Sequence, residues 1–146
     1  MRSIAYISLE DALYVHTRTV VNSGGGMDQC IDSNRLDSIL THIQNDDYYP
    51  NIEDKLAHLF FCVCKFHCFA DGNKRLAITL STQFLLINGY MYIAKDFIGK
   101  TENISFHVAA GNINKELLHE IFSLMLIGEY DNNEEIKIKL YEAIRV

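Results

Sequence analysis

The stretch Asn51-Ile52-Glu53-Asp54-Lys55-Leu56-Ala57-His58-Leu59-Phe60-Phe61-Cys62-Val63-Cys64-Lys65-Phe66 decides the fold. Asn51 is a good N-cap residue with Asp54 three residues later, and Leu56, Leu59, Phe60, Val63 and Phe66 spread apolar side chains over most of a helical circumference. A helix that is apolar on nearly every side must be covered on nearly every side. The spacing therefore predicts a central, buried helix with other helices packed around it, and an all-α fold.

The segments on either side agree. Ser8-Leu9-Glu10-Asp11 has the form of a capping box, and Leu9, Leu13, His16 and Val20 recur at helical spacing until Ser23-Gly24-Gly25-Gly26. A second helix starts at Asp32 or Ser33 with Leu36, Ile39, Leu40 and Ile43 on one stripe, and gives way to the polar turn 45–50. After the central helix comes the loop His67–Gly72. A further helix then carries Leu76, Leu80, Phe84 and Ile87 and is closed by Asn88-Gly89, a C-cap signal. Tyr90–Ala94 alternates and reads as extended, followed by helices near 103–110, 115–127 and 134–144. The glycine-rich stretch 24–31 and the turn at Tyr48 and Tyr49 suggest a short β-hairpin flap.

With 146 residues and no repeat or composition shift, the chain reads as one domain over 1–146. Its formal charge of −6 argues against broad phosphate neutralisation, so direct nucleic-acid binding is not expected and any anion site must be local. There is no apolar run of membrane-spanning length and no signal-peptide pattern, which predicts a cytoplasmic protein away from membranes. Cys30, Cys62, Cys64 and Cys68 read as reduced core thiols. Structural zinc on Cys62, Cys64, His67, Cys68 and His58 is the rival, but Cys62 and Cys64 project about 200° apart on a helix and there is no second CxxC pair.

The loop itself reads His67-Cys68-Phe69-Ala70-Asp71-Gly72-Asn73-Lys74-Arg75. Two adjacent cations in a helix's first turn oppose the helix dipole, and a bound anion would reverse the sign of that interaction. Gly72 lets the backbone turn and approach a ligand, so the amides from Gly72 to Arg75 can converge on phosphate oxygens with Lys74 and Arg75 adding charge. Asp71 is placed to hold Mg²⁺ against the same phosphates. His67 has the intrinsic pKa of a general base for a hydroxyl. Phe69 reads as the loop's anchor in the core. Each residue also has a plain structural reading: His67 as a helix C-terminal residue, Asp71 as an N-cap, Gly72 as a turn residue, Lys74 and Arg75 as a solvated face. Their coincidence within nine residues favours a site.

His67-x-Phe69-x-Asp71-Gly72-Asn73-Lys74-Arg75 resembles the central motif of the Fic/Doc (Fido) proteins, and closely their death-on-curing, or Doc, branch. The likeness extends to His16 on the first helix, the glycine-rich stretch after it, Pro50, and Phe84–Tyr90, over about residues 4–127. It implies a nucleotide-dependent protein transferase using ATP and Mg²⁺. His67 would be the general base, Asp71 the metal ligand, and Gly72, Asn73, Lys74 and Arg75 the phosphate-binding residues. AMP-transferring members have glycine where this chain has Lys74 and a second arginine where it has Ile78. Doc toxins share both departures and resemble kinases, passing the terminal phosphate of ATP to a translation elongation factor. The resemblance therefore implies a phosphotransferase toxin restrained by an antitoxin protein in trans, with AMP transfer as the alternative. The inhibitory Ser/Thr-x-x-x-Glu-Gly/Asn motif of many Fic proteins is not matched, since Glu102-Asn103 is preceded at the required place by Ile98. Cys68 and Leu76 stand where the family often has proline and threonine, which keeps open a module that binds nucleotide or partner without catalysis.

Overall fold

The computed structural model describes residues 3–22, 32–66, 68 and 72–145, with the backbone alone for 20–22. Among these residues there are seven helices and no strand: α1 (Leu9–Asn22), α2 (Ser33–His42), α3 (Ile52–Lys65), α4 (Asn73–Ile87), α5 (Met91–Ala109), α6 (Lys115–Leu126) and α7 (Glu134–Ile144). Among the described residues no helix is long and apolar enough to cross a membrane.

α3 is the hub, packed against α2, α4, α5 and α6, while α1 lies on α4 and α2 and α7 reaches the rest through α6. Its buried set, including Leu56, Leu59, Phe60 and Val63, covers most of the circumference that the sequence pattern foretold, whereas Phe66, the last residue of that pattern, is the C-cap and is 41% exposed. The Asn51 box is formed: the Asp54 carboxylate accepts from the Asn51 N–H at 2.9 Å. Phe60, Phe97 and Phe122 join α3, α5 and α6, with centroids 5.2 to 6.3 Å apart and two of the three contacts edge-on. Each such pair adds roughly 0.5–1.5 kcal/mol to the area it buries.

The helix ends follow local chemistry. Ser8 Oγ accepts from Asp11 N at 3.1 Å, and the N-caps Asp32, Asn114 and Asn133 accept from the third amide beyond them. α4 closes as the Asn88-Gly89 signal requires: Gly89 has φ 88°, its N–H reaches Leu86 O, and the Tyr90 N–H reaches Leu85 O at 2.9 Å. Asn88 also does something the sequence did not show. Its side-chain oxygen accepts from Ala5 N at 2.8 Å and its amide donates to Ala5 O at 2.9 Å, which fastens the segment before α1 to the end of α4.

Two expectations need correction. Tyr90–Ala94 is not extended, because α5 starts at Met91 and runs through to Ala109 without waiting for residue 103. The buried face of α5 is Ala94, Phe97, Thr101, Ile104, Ser105 and Val108, a regular helical stripe in which a small residue and two hydroxyls take places usually held by large apolar side chains. Thr101 and Ser105 satisfy themselves within the helix, Thr101 donating to Phe97 O and Ser105 to Glu102 O, both at 2.7 Å. The Tyr48–Tyr49 segment contributes no strand to a hairpin. It is a turn organised by Asn45, whose side chain accepts from Asp47 N and whose carbonyl accepts from Tyr49 N, each at 2.9 Å. The remainder of the expected flap, 24–31, lies outside the described residues.

Lys55 is fully buried in the first turn of α3, yet its ammonium donates to Ile43 O and to Asp46 Oδ1, both at 2.7 Å, and lies 5.5 Å from the Tyr6 ring. Lys55→Met should cost about 1–3 kcal/mol by leaving the Ile43 carbonyl without its donor. Asp46→Asn, at a side chain 76% exposed, should cost less than about 1 kcal/mol. Urea unfolding of the two variants separates these outcomes.

His58 supplies a pH prediction. Burial, then the charge of Lys115, then that of His42, push its pKa down from 6.5 to about 4. The folded state thus resists a proton that the unfolded chain accepts, so His58 contributes stability above pH 6.5 that is lost as the pH falls toward 4. His58→Gln should show a smaller loss in urea midpoint than the parent chain over that interval.

Candidate active site

α4 begins at Gly72, which takes the left-handed conformation with φ 81° and ψ 12° and whose carbonyl accepts from Leu76 N at 2.8 Å. That conformation suits glycine and little else, so the turn into α4 is fixed by the residue type. Asn73 follows, nearly buried at 9% exposure, and Lys74 and Arg75 are exposed on the helix's first turn. The positive end of the helix dipole and the two exposed cations Lys74 and Arg75 therefore lie together at this end.

Comparison with the other helices shows how unusual that is. Six cations fall within the first four residues of a described helix: Arg35, Lys55, Lys74, Arg75, Lys115 and Lys137. Four of them have an acceptor or ring in the neighbouring structure. Arg35 donates to Phe66 O at 2.7 Å, Lys55 to Ile43 O at 2.7 Å, Lys115 to His58 Nδ1 at 2.6 Å, and Lys137 sits 3.9 Å from the centre of the Tyr130 ring. Among the described residues, neither Lys74 nor Arg75 has an ion pair or side-chain hydrogen bond. Elsewhere the fold places a partner opposite a cation that opposes the dipole, and at α4 the place of that partner suits an incoming anion.

The approach to α4 is held from α2. α3 ends at Phe66, whose N–H reaches Cys62 O at 2.9 Å. Arg35 donates to the Phe66 carbonyl, and Asp32 N donates to the Cys68 carbonyl at 3.1 Å. Cys68 is fully buried. The sequence reading gave Arg35 no part in the site. Part of a signal was present, since Arg35 is a cation in the first turn of α2 just as Lys74 and Arg75 are in α4, but the carbonyl it meets is 31 residues away in the chain. His67, Phe69 and Asp71 lie outside the described residues, so the structure brings together Gly72, Asn73, Lys74 and Arg75 of the expected set.

Residues 6–85 match the Fic/DOC family. The chain belongs to the Fic/Doc family. A protein named Toxin Doc from Mycolicibacterium smegmatis is 32% identical over 108 residues, an alignment that covers 71% of this chain and 80% of that relative. The matched segment contains α1 to α4 almost whole, together with the entire motif from His67 to Arg75.

Ile78 stands where the resemblance gives AMP-transferring members a second arginine. It is 6% exposed and belongs to the core with Leu76 and Ala77, so the side chain at this position packs inward and brings no charge to the helix end. His16 is fully buried on α1. Cys62 and Cys64 are buried thiols whose pKa values desolvation pushes up to about 11 and about 12, the Lys74 charge pulling the second back only partly. Desolvation thus favours the neutral thiol at both positions. Cys62 lies 3.7 Å from the His58 imidazole nitrogens within the α3 packing.

Gly72→Ala should cost about 1–2 kcal/mol because alanine is strained at this φ. Gly99→Ala, inside α5 with nothing within 4 Å of a new Cβ, should stabilise by about 0.5–1 kcal/mol. Urea midpoints of the two variants moving in opposite directions would confirm that Gly72 is required for its conformation.

Proposed function

We propose that this Fic/Doc protein transfers the terminal phosphate of ATP to a hydroxyl side chain of a target protein. Members of the family generally transfer nucleotide-derived groups to proteins and typically use ATP with Mg²⁺. The observation that carries the reading is the α4 N-terminus, where Gly72 is left-handed and Lys74 and Arg75 stand without ionic partners among the described residues. These features fit a phosphate chain, whose oxygens would take the amides and both cations.

In this reading His67 is the general base. Its imidazole takes the proton of the attacking hydroxyl while the new oxygen–phosphorus bond forms at the terminal phosphate, and the bond to the bridging oxygen breaks to release ADP. Gly72, Asn73, Lys74 and Arg75 hold the phosphates, and Phe69 anchors the loop that carries the base. Asp71 would hold Mg²⁺, which supplies charge neutralisation on the phosphates. Little covalent work falls to the protein, so alignment and charge account for most of the rate.

Phosphate transfer is favoured over AMP transfer because Ile78 is buried and uncharged where AMP-transferring members place an arginine, while the charge of Lys74 is exposed at the helix end. By its likeness to Toxin Doc, the chain is further proposed to act as a toxin held by an antitoxin protein and to modify a translation factor.

The test is label transfer from ATP carrying ³²P at either the α or the γ position, with Mg²⁺, the purified protein and a bacterial lysate. Label should pass to a protein band from the γ position only, and His67→Ala should lower the rate by about 10²-fold or more. Transfer from the α position would replace the proposal with AMP transfer. Nucleotide binding without transfer of either label would favour a binding module.

A further inference from the structure

α2 grips both sides of residue 67. Arg35 donates through NH1 to the Phe66 carbonyl at 2.7 Å, and its guanidinium carbon lies 5.8 Å from the centre of the Phe66 ring. Asp32, the N-cap of α2, donates its backbone N–H to the Cys68 carbonyl at 3.1 Å. The two residues are also joined to one another. Asp32 Oδ1 accepts from Arg35 N at 2.9 Å, and Asp32 Oδ2 is 3.5 Å from Arg35 Nε. The carbonyls immediately before and after residue 67 are thus held from a single helix end.

Stability alone is a poor account of Arg35. Its side chain is 51% exposed, and ion pairs with that much access to water contribute little. The third position of a helix is unfavourable for a cation, whereas the terminal carbonyl of α3 is a favourable place to donate a charge-assisted hydrogen bond. What the arrangement secures is location: the last carbonyl of α3 and the carbonyl two residues on are fixed relative to α2.

We infer that Arg35 is a positioning residue for the reaction, acting through the Phe66 carbonyl to set where residue 67 stands relative to the N-terminus of α4. This rests on the reading of His67 as general base. A base must lie within hydrogen-bond reach of the hydroxyl it deprotonates, and a misplacement of about 1 Å can cost on the order of 10²-fold in rate. The residues proposed to bind phosphate are the α4 N-cap Gly72 and the first turn Asn73–Arg75, so loss of the Arg35 contact should slow transfer and leave nucleotide binding in place.

The experiment compares Arg35→Ala, Arg35→Lys and His67→Ala in the label-transfer assay, scoring the maximal rate and the ATP concentration at half-maximal rate. Arg35→Ala should slow transfer about tenfold or more with the half-saturating ATP concentration within about twofold of the parent. Arg35→Lys should recover part of the rate, because an ammonium can donate to the same carbonyl. A second readout is independent of turnover: the imidazole signals of His67 in ¹⁵N-histidine-labelled protein, identified by their absence from His67→Ala. They should shift in Arg35→Ala and return toward the parent position in Arg35→Lys. The inference is overturned if Arg35→Ala transfers label at the parent rate, if rate and ATP saturation fall together, if lysine restores nothing, or if the His67 signals do not move. Transfer surviving in His67→Ala would instead overturn the base assignment, and this role with it. Transfer lost in His67→Ala but unchanged in Arg35→Ala would overturn the positioning role alone.

Discussion

A reciprocal exchange of hydrogen bonds between α2 and α3 sets the frame. The two helices run antiparallel, and each supplies a cation from its first turn to the last carbonyl of the other. Lys55 of α3 donates to Ile43 O at the end of α2, and Arg35 of α2 donates to Phe66 O at the end of α3. Each cation opposes the dipole of its own helix and complements that of its partner, so the pairing is favourable only when both helices are present and in this register. The buried Lys55 makes the constraint strict at one end. A desolvated ammonium without acceptors would be strongly destabilising, and its acceptors come from the α2–α3 turn.

From that frame the position of the candidate site follows. With α3 held at its C-terminal end, the chain leaves toward α4 from a defined point, and Asp32 repeats the restraint at Cys68. α4 in turn is held along its length by α3, α5 and α1, and at its far end by the Schellman turn and the Asn88 clamp on Ala5. Anchoring of this kind lets the first turn of α4 keep two cations against the dipole. The cost there is a few tenths of a kcal/mol per charge, small beside the packing of Leu76, Leu80, Phe84 and Leu85.

Legibility from sequence divides along a physical line. Whatever is decided within about four residues could be read directly: the caps at Ser8, Asn51 and Asn88-Gly89, the apolar girth of α3, and the glycine-to-cation run at 72–75. α5 was misread because its buried stripe uses Ala94, Thr101 and Ser105, which do not register as apolar although they pack well once their hydroxyls bond within the helix. The roles of Lys55 and Arg35 could not be read for another reason, although both are cations in a first turn. Their partners are carbonyls 12 and 31 residues away in the chain, and a backbone carbonyl carries no residue-type signature. Of the candidate site, the motif could be read whole, and its described part, Gly72 to Arg75, lies where a helix N-terminus was expected.

The choice between phosphate and AMP transfer comes down to where along α4 a cation can stand. Lys74 and Ile78 are one turn apart, so exchanging a glycine and an arginine for a lysine and an isoleucine moves a charge by about 6 Å along the helix axis. In this chain the deeper position is closed to charge. Ile78 is 6% exposed within the core, and an arginine there would need acceptors that the surrounding apolar residues do not supply. The outer position suits charge, since Lys74 is exposed and its ammonium can shift to follow a ligand. A nucleotide held as proposed would meet helical cations in the first turn of α4 and none at position 78. The proposal that the terminal phosphate is the group transferred rests on this placement of charge.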